Sequence, residues 1–418
     1  MSLKIFSNSL WMMSEKLISL FSVFFVTSYV AKYVGPLIYG EIVFSLAFFQ
    51  VIQIISQLGS DVIIFKRVTK NVTSGVKLIK STVYIRLLIY VVISLPVIIY
   101  SWSFQDVTSF YFSLASCVAC FFISMDIAAI YYDAKLQSKK NVIVNVFSLC
   151  VCLFIRWCIA YYEMPPFWLT IPIVLTGFIP FLVRYFLFKK EWGLNVSKKG
   201  KYVKYLFRAG LSFALSSISV AIYTRLSLLM LGYFEGSISV GIYSIAATLA
   251  SSWFFVGNSL IISAFANIFS ERSDDVAIKK TSSLLLLIIL IGFCVLIGAT
   301  TIGGVFINFL YGEQYVNAYV PLLILTFSTM ISLLGTVSSR FIAKYSGYTY
   351  LSKKMFLVLI LSLFFNFFLI IEFGIEGAAF ATLITEILSL TVFNYFFQNG
   401  LIYKLHKKII SNEHSFKF

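Results

Sequence analysis

Five cationic side chains, Lys16, Arg86, Arg156, Arg184 and Arg225, stand inside long apolar runs of a 418-residue chain. A charge at the centre of a bilayer costs about 2.5–3.5 kcal/mol on insertion scales, so each must reach an interface, meet a counter-charge or face a polar space. A guanidinium presents a planar fork of donors and stays charged at physiological pH, which suits it to phosphate or carboxylate oxygens. Arg184 lies about one helical turn from the end of its run and is expected to snorkel to the interface. Lys16 and Arg86 lie about two turns in, where snorkelling and an inward-facing role both remain open. Arg156 and Arg225 occupy the halves of their runs farthest from the basic loops and are expected to face a polar lumen as substrate-binding cations.

Neutral and acidic residues accompany them. Gln50, Gln53, Gln57 and Asp61 recur at i, i+3, i+7 and i+11, an arc of about 80° on one helix, and so line either a cavity or an interhelical contact. Glu15, Lys16, Ser19 and Ser22 share an arc of about 120°, with Glu15 placed to neutralise a neighbouring cation. Asp126 and Asp133 sit toward a helix end, where capping is one role. Glu386 lies near the middle of its run, and Glu386 and Asp126 are the candidates for ion coupling. Ser212, Ser216, Ser219 and Tyr223 form one stripe, from which Arg225 projects about 160° away. Either the serines are a packing face and Arg225 meets a cavity, or the assignment is reversed and Arg225 reaches headgroups about 10 Å away.

Other chemistries lack their residues. Both histidines, His406 and His414, fall near the C-terminus, outside the apolar runs, so none is available there as acid, base or metal ligand. The six cysteines all lie in apolar runs, and the CxxC of Cys117 and Cys120 reads as packing rather than a metal site or redox pair. No Walker A sequence occurs, so ATP is not the direct energy source. No catalytic residue, cofactor, metal or nucleic acid is expected.

The elements that must position these residues follow from composition. Hydrophobic residues make up 60% and charged residues 12% of the chain, and its mean hydropathy is +0.93, far outside the soluble range. The chain is therefore read as an all-α, multi-pass membrane protein. A crossing needs about 20 apolar residues, and twelve such runs occur, near 10–31, 41–62, 79–100, 107–130, 143–162, 167–188, 206–232, 238–266, 281–310, 316–338, 353–372 and 375–398. The even-numbered loops and the two termini hold 27 of the 33 Lys and Arg, whereas the odd-numbered loops hold Lys32 alone, together with Asp106, Glu163, Glu235, Glu313, Glu372 and Glu376. The positive-inside rule then places both termini in the cytoplasm. The basic stretch KKEWGLNVSKKGKYVKY divides six runs from six, giving an N-terminal lobe at 1–190, a cytoplasmic linker at 191–205, a C-terminal lobe at 206–400 and a basic tail at 401–418 that is expected to lie on anionic lipid. YVGPLIYGEIVFSLAFF after the first run and YFEGSISVGIYSIAATL after the seventh occupy equivalent places, which predicts two pseudo-symmetric six-helix lobes.

Four segments carry a family resemblance. AKYVGPLIYGEIVFSLAFF, YTRLSLLMLGYFEGSISVGIYSIAATLASSWFF, FLYGEQYVNAYVPLLILTFS and FNFFLIIEFGIEGAAFATLITEILSL resemble, in order, segments of polysaccharide flippases in the multidrug/oligosaccharidyl-lipid/polysaccharide exporter superfamily, nearest the O-antigen (Wzx-type) flippases. The resemblance implies two six-helix lobes in a MATE-like V around a cationic cavity, in the bacterial inner membrane. It implies alternating-access translocation of undecaprenyl-pyrophosphate-linked O-antigen repeat units from the cytoplasmic to the periplasmic leaflet, with an O-antigen polymerase and chain-length regulator as partners. Family members often carry Arg-x-Asp in helix seven, where this chain reads Arg225-Leu226-Ser227 and lacks the acid. The alternatives are a multidrug or cation antiporter of the same superfamily, which would favour acids over arginines in its cavity, and an O-antigen polymerase. The polymerase would need a sizeable outward loop, and none here exceeds about nine residues.

Overall fold

The computed structural model describes residues 3–193 and 218–409. Every regular element among the described residues is a helix. In chain order these are α1 (Leu3–Ser22), α2 (Ser28–Gln57), α3 (Ser60–Lys70), α4 (Val72–Phe104), α5 (Val107–Met125), α6 (Ala128–Ala134), α7 (Ser138–Tyr161) and α8 (Thr170–Trp192). They continue with α9 (Ile218–Phe234), α10 (Ser237–Ser251), α11 (Phe254–Ser270), α12 (Asp274–Tyr311), α13 (Tyr319–Lys344), α14 (Tyr348–Leu390), α15 (Val392–Tyr395) and α16 (Leu401–Lys407).

Among the described residues nine stretches are long and apolar enough to cross a membrane. Two of them, Met13–Gln57 and Tyr348–Tyr395, run to 45 and 48 residues, about twice what one crossing needs. Each is broken where the sequence permits it. Gly35 has a φ of 77° immediately before Pro36, which has no amide hydrogen to donate, and Gly374 has a φ of 52°.

Helix ends follow local chemistry. The Asn71 side chain accepts from the Ser74 amide at 2.9 Å and so caps α4. At the end of α2, Leu58 and Gly59 both adopt left-handed conformations, and the chain restarts as α3. Asp61 therefore does not continue the line of Gln50, Gln53 and Gln57, and the predicted run 41–62 ends at Gln57. Helix α3 buries Ile63, Ile64 and Val68 and turns Lys66, Arg67 and Lys70 outward.

The chain forms two compact units, Met1–Arg225 and Leu226–Phe418. The expected linker, 191–205, lies for the most part outside the described residues. In the first unit, α2, α5, α7 and α8 pack around Val30, Ile42, Phe112, Ala119, Ile159 and Ile173. Helices α5 and α8 approach closely because Gly177 has no side chain: a Cβ there would lie 2.4 Å from the Ala119 carbonyl oxygen. In the second unit, α11, α12, α13 and α16 enclose Phe265, Leu285, Leu333, Phe341 and Ile402. In hydrocarbon such contacts hold through dispersion and shape, since lipid tails are as apolar as leucine. Leu88, Val92, Ile99, Val305 and Phe309 stay exposed, as a lipid-facing surface requires.

Candidate anion-binding cavity

One cavity in the first unit gathers three of the residues singled out by type and spacing. Gln50 and Gln53 from α2 and Arg225 from α9 line a space of about 320 Å³, joined by Thr224 and bounded by Ile54 and Ile123. Gln50 and Gln53, three apart, share a helix face. Arg225 and Thr224 are exposed, whereas Ser219 on the serine stripe is buried. Ser212 and Ser216 lie outside the described residues. The Arg225 side of α9 thus opens to the cavity. Its guanidinium fork suits an anionic oxygen, and the two amides both donate and accept, as a carbohydrate hydroxyl requires. The volume is at the lower end of small-ligand sites and fits a phosphate and part of a sugar rather than a whole oligosaccharide.

The other cations are placed differently. Arg156 is half-buried on α7, within electrostatic reach of Cys152 and of Tyr39 on α2, and does not line the Arg225 cavity. Lys16 is exposed and also stands outside it. Gln57 lies one turn beyond Gln53, and its backbone carbonyl accepts from the Ser60 hydroxyl.

Arg86 and Arg184 are held in internal ion pairs. Arg86 is 2% exposed and paired with Asp61. It also donates through Nε to the Ser60 hydroxyl at 3.1 Å and through a terminal nitrogen to the Ser124 carbonyl at 2.9 Å. This guanidinium is consumed by the protein and does not form a cavity wall. Arg184, expected at the interface, is 5% exposed instead. It pairs with Asp126, its Nε donating to Oδ2 at 2.7 Å, while a terminal nitrogen donates to Asn145 Oδ1 at 2.8 Å. Asn145 in turn donates to Glu15 Oε1 at 2.9 Å, so the bond found for Glu15 runs to an amide. The physical reason is cost. A buried guanidinium without a counter-charge is far more expensive than one enclosed by acceptors.

Asp126 Oδ1 is buried and has no hydrogen-bond partner among the described residues. Asp133 accepts from the Ser138 hydroxyl and the Asn141 side-chain amide at the start of α7, contacts between side chains rather than the capping of free backbone amides. Glu386 is half-buried and acts electrostatically on Lys354, which is 4% exposed and donates to Asn394 Oδ1 at 2.8 Å. Ser227, where the resemblance leads one to expect an acid, is buried in the second unit, its hydroxyl 3.0 Å from that of Thr382. That position is a neutral helix contact.

Reading one sequence missed Asn145, Ser60, Ser124 and Lys354. The polar residues among them carried a signal only in being polar within apolar runs, and Lys354 reads from sequence as a loop cation.

The known proteins similar to this chain agree with that architecture. The family model described as polysaccharide biosynthesis protein matches residues 5–265, and the chain belongs to that family. A capsular polysaccharide biosynthesis protein, CapF of Staphylococcus aureus, is 24% identical over 221 residues, covering 52% of this chain and 55% of CapF. The match thus spans about half the length of that relative. Among solved structures, the lipid II flippase MurJ in an inward closed conformation superposes with a TM-score of 0.72 at 13% identity, covering 97% of this chain and 90% of MurJ. An inward-facing multidrug resistance MATE transporter of the MOP superfamily gives 0.70 at 13% identity, with 94% and 96% covered. The fold is that of the MurJ and MATE proteins, and the chain is a multi-pass membrane protein.

Proposed function

We propose that the protein is a flippase that moves lipid-linked oligosaccharide repeat units, on an undecaprenyl-pyrophosphate carrier, from the cytoplasmic to the periplasmic leaflet of a bacterial inner membrane. O-antigen units are the specific cargo suggested by the resemblance, with a polymerase and chain-length regulator acting next. In this reading the chain crosses the bilayer twelve times, α2 and α14 each supplying parts of two crossings and α9 forming part of the seventh, with both termini cytoplasmic. The observation that carries it is that Arg225 lines one cavity together with Gln50 and Gln53. A pyrophosphate cannot cross about 30 Å of hydrocarbon unaided, and a guanidinium with amides replaces part of its hydration. A drug-cation antiporter would instead need carboxylates on that wall.

Transport proceeds by alternating exposure of the cavity, driven by an ion gradient. Asp126, with one buried carboxylate oxygen that has no hydrogen-bond partner among the described residues, and Glu386, within electrostatic reach of Lys354, are the groups assigned to coupling. Arg156 and Lys16 supply further positive potential along the route.

The test is genetic. Arg225→Ala is expected to abolish surface polysaccharide with the protein still inserted, Arg156→Ala to reduce it strongly, and Arg225→Lys to retain part of it. Normal surface polysaccharide in both alanine variants would reject the anion-binding role.

A further inference from the structure

A cavity of about 1070 Å³ belongs wholly to the second unit and plays no part in the proposed transport route. It lies where helix ends meet: the end of α9, the start of α10, the last turns of α12, the start of α13 and the break in α14. Two carboxylates, Glu235 and Glu376, line it, and both are exposed. Neither has an ion-pair partner among the described residues. No lysine or arginine occurs in 226–244, 298–322 or 366–380, the segments that build it. The Glu235 carboxylate passes within 3.6 Å of where a Cβ on Gly374 would stand, so the helix break leaves the space that the carboxylate occupies.

The ligand class follows from these surroundings. Two uncompensated carboxylates repel a pyrophosphate, so the cavity is not a second substrate-phosphate site. No group of three or more His, Cys, Asp or Glu able to hold a metal occurs among the described residues, which disfavours a metal cation. The remaining wall is apolar and open outward: Phe309 is 78% and Val305 71% exposed, on a helix apolar enough to cross a membrane. Acids at a helix end beside apolar flanks match a ligand with an ammonium head and hydrocarbon chains. Asn308 and Asn317 on the same lining supply amide donors for the phosphate between them.

We propose that this cavity binds an aminophospholipid, its ammonium group between Glu235 and Glu376 and its acyl chains along Val305 and Phe309. The site is independent of Arg225, and its occupancy is read without any transport assay. Gly304 provides a second handle. A side chain there would make ordinary contact with the Tyr319 ring at 3.7 Å, so Gly304→Phe fills the cavity without touching the charges.

The experiment is native mass spectrometry of the full-length protein from micelles holding equal phosphatidylethanolamine and phosphatidylglycerol. The wild type should retain phosphatidylethanolamine about tenfold over phosphatidylglycerol, a preference of about 1.4 kcal/mol. E235Q/E376Q should bring the ratio to about one, and Gly304→Phe should reduce retention of the lipid. Equal retention of the two lipids by the wild type, or an unchanged ratio in E235Q/E376Q, would overturn the proposal. Displacement of the lipid by equimolar free ethanolamine would also overturn it, because the acyl chains would then contribute nothing.

Discussion

At the scale of single residues, the intramembrane cations divide into those the protein consumes and those it leaves open. Arg184 and Asp126 are both almost fully enclosed, with side-chain exposures of 6% and 8%. Removing one member strands the other, a change that typically costs about 3–5 kcal/mol, whereas replacing both by apolar groups of similar size is far milder. Asp126→Ala is therefore expected to lower the thermal midpoint in detergent sharply, and Asp126→Leu with Arg184→Met to recover most of it. A midpoint in Asp126→Ala equal to wild type would refute the enclosed pair. The division was only partly legible in the sequence. Helical phase was enough to put Gln50 beside Gln53 and to separate Arg225 from the serine stripe. It was not enough to pair Arg86 with Asp61 or Arg184 with Asp126, which lie 25 and 58 residues apart. Those pairings depend on how helices are rotated against one another, and one sequence's periodicity does not encode that.

At the scale of elements, glycine and the helix ends decide what packs. Gly177 lets α8 rest on the Ala119 carbonyl of α5. Gly177→Val should separate the two helices and destabilise the first unit by roughly 1–3 kcal/mol, the usual range for overpacking, seen as a lower midpoint. Helix α16 docks through His406, whose ring nitrogens lie 3.1 Å from the Tyr395 hydroxyl and 3.3 Å from the Ser338 hydroxyl. Burial pushes the His406 imidazole down from 6.5 to about 4. Between those values the unfolded chain binds a proton that the folded protein refuses. Stability is therefore full above about pH 6.5 and falls as pH drops toward 4. His406→Gln should flatten that dependence, and an identical pH profile in the variant would show that His406 is not its origin. The apolar character of the runs was legible at this scale, but several of their ends were not: α4, α7 and α12 begin at Val72, Ser138 and Asp274, ahead of the runs expected from 79, 143 and 281. The break after Gln57 was not legible either, because it rests on Leu58 adopting a left-handed conformation that its residue type disfavours.

At the scale of the whole molecule, charge and hydropathy carry the account. The bias of cations to one set of loops predicts which loops face the cytoplasm. In a variant freed of its six cysteines, Ser103→Cys should react with an impermeant maleimide from outside intact cells. Lys139→Cys should react only after permeabilisation, and the reverse pattern would invert the topology. Fold class was legible throughout, since a chain so apolar has few architectures open to it. A cargo is suggested only by family likeness. In the proposed function Arg225 binds the anionic part of a lipid-linked sugar during its passage across the bilayer. The most direct test of this role is translocation of a purified undecaprenyl-pyrophosphate-linked repeat unit in vesicles, with wild type and Arg225→Ala at equal incorporation and with and without an imposed ion gradient. The expected result is gradient-dependent transport by the wild type and a loss of about tenfold or more in the variant, the equivalent of at least one charge-assisted hydrogen bond. Equal rates in the two proteins would contradict it.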